Sequence, residues 1–222
     1  MVRATHGCEL KLRVALFGAT GFVGSAVLEE LLRDGHQVAA LVRTPDQAAT
    51  RPGLTVIAGD VGDPAAVARV VSGAEAVISC LGTRRNENQP LDFLASATRN
   101  IIGAMKQGQM ERLVAISGAG IAIPGERKPF PHNAISALLR LLARDVVAAK
   151  QHEFAALKES AGIAWTAVRP TRVVNGPATD RLRVGVDPGK MGMQVTRGDL
   201  ARFMVGQLTD QTYFLRAPFV SS

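Results

Sequence analysis

Gly18, Gly21 and Gly24 recur at even spacing in Val14-Ala-Leu-Phe-Gly18-Ala-Thr20-Gly21-Phe22-Val23-Gly24-Ser25. Glycines in this pattern suit contact with an anion. Gly18 permits a tight turn. Gly21 lets backbone N–H groups approach phosphate oxygens with no Cβ in the way, and Gly24 permits close packing of the helix. That helix would turn its positive N-terminal end toward the same point. With Thr20, Phe22 and Val23, the glycines would cradle the diphosphate of a dinucleotide. A plain tight turn would also use glycine, so the flanks decide. Val14 to Phe17 are apolar and strand-like. Val23, Val27, Leu28, Leu31 and Leu32 follow at helical spacing, and Gly35 is placed to end the helix.

Other candidates stand at the ends of apolar runs. Arg43 follows Leu41-Val42, and no acidic residue stands beside it. NAD-preferring folds carry a carboxylate near this point for the ribose 2′-hydroxyl, whereas a guanidinium suits a 2′-phosphate. The expected cofactor is therefore NADP(H). Asp60 and Val61 would border the adenine, or Asp60 would cap a turn or helix. Leu81, Gly82 and Thr83 would admit the cofactor ribose, or merely end a strand. Ser117 would face the nicotinamide and the acceptor, or satisfy local backbone. Pro170 and Thr171 would lie beside the nicotinamide. Arg172 would meet an anionic substrate, or be a solvated surface charge. Ser117 and Arg172 are the candidates for work on the acceptor.

The elements that must position these residues alternate along the chain. Strands are expected at 13–17, 37–42, 54–58, 76–79, 112–116 and 164–168. Helices are expected at 22–33, 64–71, 91–106, 133–160 and 197–208. This rhythm predicts an α/β fold, a Rossmann-type doubly wound, mainly parallel sheet with helices on both faces. The polar stretch 83–90 and the Gly- and Pro-rich stretch 118–132 follow the fourth and fifth strands. Open α/β sheets bind ligands beyond such strand ends. The recurring Ile135, Leu138, Leu139, Leu142 and Val146 read as core packing. His152 and Glu153 read as the exposed face of the same helix.

The 222 residues suffice for one domain with a sizeable core. The expected organisation is a leader over 1–11 and a single domain over 12–222, with a small substrate-side subregion from about residue 172. No apolar run is long enough to span a bilayer, and the start lacks a signal-peptide core. Cys8 and Cys80 make neither a disulfide framework nor a metal site, so a reduced, cytoplasmic setting is expected. The net charge is +7 with only 5% aromatic residues. Without a nucleic-acid-binding signature, this basic excess is read as a surface suited to a polyanionic cofactor. Neither nucleic acid nor membrane is an expected partner, and a monomer is the simpler expectation.

The glycine stretch, Leu41-Val-Arg43, Gly59-Asp60-Val61, Cys80–Thr83 and Trp165-Thr-Ala-Val-Arg-Pro170 together resemble the atypical short-chain dehydrogenase/reductases, NAD(P)-binding proteins of the NmrA-like kind. Within that family, three stretches are similar to the flavin reductase (biliverdin IXβ reductase) group. They are Leu81-Gly-Thr-Arg84, Ala97-Thr-Arg99-Asn100-Ile-Ile-Gly-Ala-Met105-Lys106, and the tail Val195-Thr-Arg-Gly-Asp199-Leu-Ala-Arg-Phe203-Met204. The resemblance runs from residue 12 to residue 210. It departs where typical members carry a catalytic Tyr-x-x-x-Lys: Lys150 matches the lysine, but Val146 stands at the tyrosine. The flavin reductase group also lacks that tyrosine. It has a serine and a histidine near its substrate; Gly118, one residue after Ser117, and Arg172 stand at those positions here.

The resemblance implies NADPH-dependent hydride transfer to a conjugated, anionic acceptor such as flavin or biliverdin. An NmrA-like NADP-binding redox sensor and a reductase of another carbonyl or quinone are the alternatives. Reducing a ketone makes an alkoxide that needs a nearby proton donor. A flavin or bilin spreads the charge over many atoms, so solvent can supply the proton.

If Arg43 reads the 2′-phosphate, Arg43→Ala should weaken NADPH binding by about 1.5–3 kcal/mol and barely alter NADH binding. Titration of both cofactors checks this, and equal losses would remove Arg43 from that role.

Overall fold

The computed structural model describes residues 10–44, 51–83, 90–123, 126, 144–179 and 181–222. Its first strand, β1 (Arg13–Phe17), shows why the chain makes two layers of core. Val14 and Leu16 point into one apolar cluster, and Ala15 and Phe17 into another on the opposite face. Strand residues alternate sides, so an all-apolar strand must be covered twice. The helix α1 (Gly24–Arg33) buries Val27 and Leu31 on the first face. It ends in a left-handed Gly35, φ +78°, with Gly35 N–H and His36 N–H donating to the Leu32 and Leu31 carbonyls. That paired closure is the glycine stop read from the sequence.

The strands β2 (Gln37–Val42), β3 (Leu54–Ala58), β4 (Ala76–Ser79), β5 (Arg112–Ile116) and β6 (Ala164–Pro170) follow, all parallel to their neighbours. Helices α2 (Pro64–Val71), α3 (Phe93–Gln107) and α4 (Arg144–Lys158) cover one face. Helix α5 (Arg197–Gly206) lies beside α1 on the other. With β7 (Arg172–Val174), β8 (Arg183–Gly185), β9 (Gln194–Thr196) and β10 (Phe219–Ser221), the main sheet has the order β3-β2-β1-β4-β5-β6-β10-β8, and β7 pairs with β9 apart from it. Among the described strands only β8, antiparallel to β10, breaks the parallel run of this sheet. The order reverses between β1 and β4, which opens a crevice at their carboxyl ends. The doubly wound α/β architecture expected from the sequence is thus present. No helix among the described residues is long and apolar enough to cross a membrane.

The six expected strands are found at their expected starts, β6 running on to Pro170. The helix at 64–71 is found as expected, and the other described helix ends differ by at most two residues, as they do when fraying and capping decide them; the expected start at 133 lies outside the described residues. Strands β7 to β10 were not read from the sequence. Each has only three residues, too few for alternation to show. The expected segments 1–9, 84–89, 124–125 and 127–143 lie outside the described residues, and with them Ile135, Leu138, Leu139 and Leu142; Val146, expected in the same packed series, is exposed at the start of α4.

The C-terminal part is organised around Asp199, 1% exposed. Its carboxylate accepts from Thr179 N–H (2.5 Å), Thr179 Oγ1 (2.9 Å) and Thr196 Oγ1 (2.9 Å), while Thr196 Oγ1 caps α5 by accepting from Asp199 N–H at 3.0 Å. Burial alone would raise this carboxyl, but bonds from Thr179, Ser222 and Thr196 hold it below the ordinary value of 3.8. A depressed folded-state value stabilises the fold above the ordinary range and loses that contribution as pH falls through the folded value. Asp199→Asn should therefore cost about 1.5–3 kcal/mol near neutral pH. Urea melts of both proteins should show the gap closing as pH falls below about 4.

Candidate functional site

The glycine turn owes its shape to the neighbouring strand. Gly18 leaves β1 at φ +80°, and a Cβ on it would lie 2.7 Å from the Cys80 carbonyl oxygen at the end of β4. Cys80 N–H in turn donates to Phe17 O at 2.8 Å, so the two strand ends are fastened together at this point. Gly21 N–H donates to Gly18 O at 3.0 Å and closes the turn. Gly21 is outside the left-handed region; space matters there, since a Cβ would sit 3.2 Å from Gly18 O. A Cβ on Gly24 would overlap Gly18 O, so this glycine lets α1 approach the turn itself. No side chain caps the N-terminus of α1, and no acidic residue occupies its first turn. Its amide donors and positive end suit a phosphate.

A cleft of ≈ 450 Å³ opens over this turn. Gly18, Thr20, Gly21, Phe22 and Val23 line it, joined by Arg43 after β2 and Asp60 and Val61 after β3. Leu81, Gly82 and Thr83 after β4 and Ser117 after β5 complete the expected set. Gly24 is buried behind the turn. Asp60 Oδ1 accepts from Gly62 N–H at 2.7 Å, the turn role weighed for it; the α2 cap is Asp63, which accepts from Ala65 N–H at 2.9 Å.

Pro170, Thr171 and Arg172 do not line the cleft. Pro170 is buried at the end of β6, and Thr171 N–H donates to Val220 O of β10 at 3.1 Å. Arg172 is exposed at the start of β7, its N–H donating to Met193 O at 3.2 Å. The short strands missed in the sequence draw this stretch aside.

The cleft also takes in Phe17, Leu41, Val42, Gly59, Cys80, Phe93, Ile116 and Lys150. Lys150 is the important addition. Its Nζ donates to Leu81 O (2.7 Å), Ile116 O (2.7 Å) and Glu153 Oε2 (2.8 Å). Glu153 is 1% exposed, which corrects its expected place on a solvated helix face. Its signal was the three-residue spacing from Lys150, which puts both on one face of α4. His152 is exposed as expected. Burial pushes the Glu153 carboxyl up, and the charge and hydrogen bond of Lys150 oppose that push. Burial also pushes the Cys80 thiol up to about 12, against the pull of Lys150, so it stays a neutral thiol. Tyr213 packs edge-on against Phe203, 6.0 Å between ring centres, and is not in the cleft wall.

The residues present fit a dinucleotide. Ser117 Oγ and Thr83 Oγ1 are buried without hydrogen-bond partners among the described residues. A buried polar group left unpaired is costly, so two beside a cleft mark where a ligand's polar groups belong. One end of the cleft offers Arg43 and the α1 N-terminus; the other offers hydroxyls. Gly21→Val should lower NADPH affinity at least about tenfold, because the branched side chain fills the space over the turn. Cofactor titration of the folded variant checks this, and unchanged affinity would refute the cradle.

Comparison with known proteins agrees with this geometry. Residues 18–211 match the family described as NAD(P)H-binding. The 3-beta-hydroxysteroid dehydrogenase of Mycolicibacterium neoaurum is 27% identical over 124 residues, 51% of this chain and 34% of that enzyme. The first curated relatives are matched over 12% to 61% of their own length. Among solved structures, ChuY, an anaerobillin reductase from Escherichia coli O157:H7, superposes with a TM-score of 0.76 at 20% identity, covering 94% of this chain and 96% of that one. A short-chain dehydrogenase/reductase from Veillonella parvula, solved in complex with NADP, superposes with a TM-score of 0.75 at 17% identity, covering 96% and 95%. The match across most of the chain, together with the glycine turn and the cleft above it, makes this protein a member of the NAD(P)H-binding family.

Proposed function

We propose that the chain is an NADPH-dependent reductase that delivers hydride to a conjugated, anionic acceptor such as a flavin or a bilin. The observation that carries this reading is the bonding of Lys150. All three of its ammonium donors are engaged, and Val146 stands where a catalytic tyrosine would stand. The nicotinamide end of the described cleft thus offers two hydroxyls and a neutral thiol, with no side-chain acid of ordinary strength. Such a site serves an acceptor that takes its proton from solvent better than a ketone that needs a donor. The name of ChuY, an anaerobillin reductase of like fold, fits a bilin-type acceptor.

On this reading Gly18, Thr20, Gly21, Phe22 and Val23 hold the diphosphate, with Gly24 seating α1 behind them. Arg43 takes the 2′-phosphate; Asp60 and Val61 flank adenine. Leu81, Gly82 and Thr83 meet the ribose, and Ser117 the nicotinamide. Pro170 and Thr171 fix the chain beyond β6, and Arg172, exposed outside the cleft lining, is left without a contact to the acceptor. The bound nicotinamide supplies the hydride, and the chain's contribution is orientation.

NADPH consumption should be measured against flavin mononucleotide, biliverdin, a quinone and a small ketone. Turnover with the flavin or biliverdin and none with the ketone is expected. Ketone reduction would overturn the choice of acceptor. Tight NADPH binding without turnover of any acceptor would overturn catalysis in favour of sensing.

A further inference from the structure

The paired ladder of β4 and β5 ends at Ser79 and Ala115. Past that point the two chains run on as strand ends that line the cleft. The Leu81 and Ile116 carbonyls, one from each departing chain, converge on Lys150 Nζ. An ammonium has three donors and no acceptor, so Glu153 completes its set. Lys150 is 7% exposed and Glu153 1%, so water does not compete for these bonds. All three donors of the ammonium are thus committed to protein oxygens, and removing Lys150 alone would leave Glu153 buried without its partner, a costly state.

We propose that Lys150 is a positioning residue. Held by Glu153, it ties the tips of β4 and β5 where their ladder stops, and so sets the Thr83 and Ser117 hydroxyls at the nicotinamide end. Thr83 lies two residues beyond the Leu81 carbonyl, and Ser117 directly follows Ile116. A shift at either carbonyl is carried straight to a hydroxyl. Both hydroxyls are buried and unpartnered, so they match the neutral, hydrogen-bonding groups of a nicotinamide riboside, namely ribose hydroxyls and the carboxamide. The inference rests on reading the cleft as a dinucleotide-dependent reductase site.

The test is a set of coupled variants. Lys150→Met with Glu153→Leu removes the buried pair together, so no lone charge remains. Thr83→Val with Ser117→Ala removes the hydroxyls, and a fourth protein carries all the changes. NADPH affinity is read by fluorescence titration, and NADPH oxidation with flavin mononucleotide is followed across pH. Removing the pair should weaken NADPH about tenfold, as should removing the hydroxyls. Combining them should add no more than about twofold, because the lysine acts through the hydroxyls. Glu153→Gln keeps an amide oxygen on the ammonium and is the gentler probe should the paired change unfold the chain. Its loss of about threefold should vanish once the hydroxyls are gone. The shape of the kcat–pH profile should be unchanged throughout.

Multiplying losses, or a missing limb of the pH profile, would show that Lys150 acts directly on cofactor or proton and would overturn the inference. If the unaltered protein binds no NADPH, the underlying reading fails. If it binds NADPH and the pair-free variant binds equally well, the positioning role fails alone.

Discussion

The parting of β1 and β4 is the constraint on which the cleft depends. Successive strands are added on one side of β1 up to β3, and then on its other side from β4. Two parallel strands that lie side by side therefore send their chains in opposite directions at their carboxyl ends. The space between those chains is the cleft. At its floor the Cys80 carbonyl lies where a side chain on residue 18 would be, and Cys80 N–H is bonded to Phe17 O. The shape of the glycine turn is thus held by the sheet, with Phe17 fully buried beneath it. A cradle fixed in this way is ordered before a phosphate arrives, which lowers the entropic cost of binding.

Further along the carboxyl edge, buried or shielded polar groups take over where the ladder ends. Lys150 gathers the tips of β4 and β5. Gln151, the next residue of α4, holds Ala122 by both backbone groups, at 2.8 and 3.1 Å. Arg169, 1% exposed, grips both oxygens of Glu126 at 2.6 and 2.9 Å, bonds Ala217 O through Nε, and lies 3.7 Å from the centre of the Phe219 ring. The stretch leaving β5 is therefore pinned at Ala122 and at Glu126. The amino edge is treated differently. There Arg112 reaches Gln207 O, Ala164 O and Thr166 Oγ1, with its guanidinium 4.4 Å from the centre of the Phe214 ring. Burial lowers Arg112 to about 10, against the opposing pull of Asp210. One edge is laced shut, while the other is propped open at defined points.

This division explains what could be read from the chain and what could not. The glycine turn was legible because its requirement is local: residues 13 to 33 contain both the strand and the helix that it joins. The place of Arg43, Asp60, Thr83 and Ser117 on the cleft wall was legible because each closely follows a strand with clear alternation or an apolar run. The network around Lys150 was not. Lys150 lies 69 residues from Leu81 and 34 from Ile116, so its partners emerge only when the strands are set in order. Glu153 looked like a surface acid because charged residues on a helix usually are. Pro170, Thr171 and Arg172 stand outside the described cleft lining for a related reason. Strands of three residues leave no periodic trace, and these strands turn the chain after β6 away from the cleft lining.

The charges along the cleft are divided in a way that suits one direction of binding. The end with Arg43 and the uncapped α1 N-terminus is positive, and its carboxylate, Asp60, is bonded to Gly62 N–H. The opposite end contains an ammonium, but Glu153 lies 2.8 Å from it and cancels its field at longer range. A dinucleotide that carries phosphates at one end and an uncharged ring at the other is matched by this gradient. Were a nicotinamide bound at this end, an unpaired lysine would repel its oxidised, positive ring, whereas the neutralised pair would tolerate either redox state. A buried ion pair of this kind contributes little net stability against an apolar substitute. Its value here lies in supplying the donors that two open carbonyls need without adding a net charge to this end of the cleft.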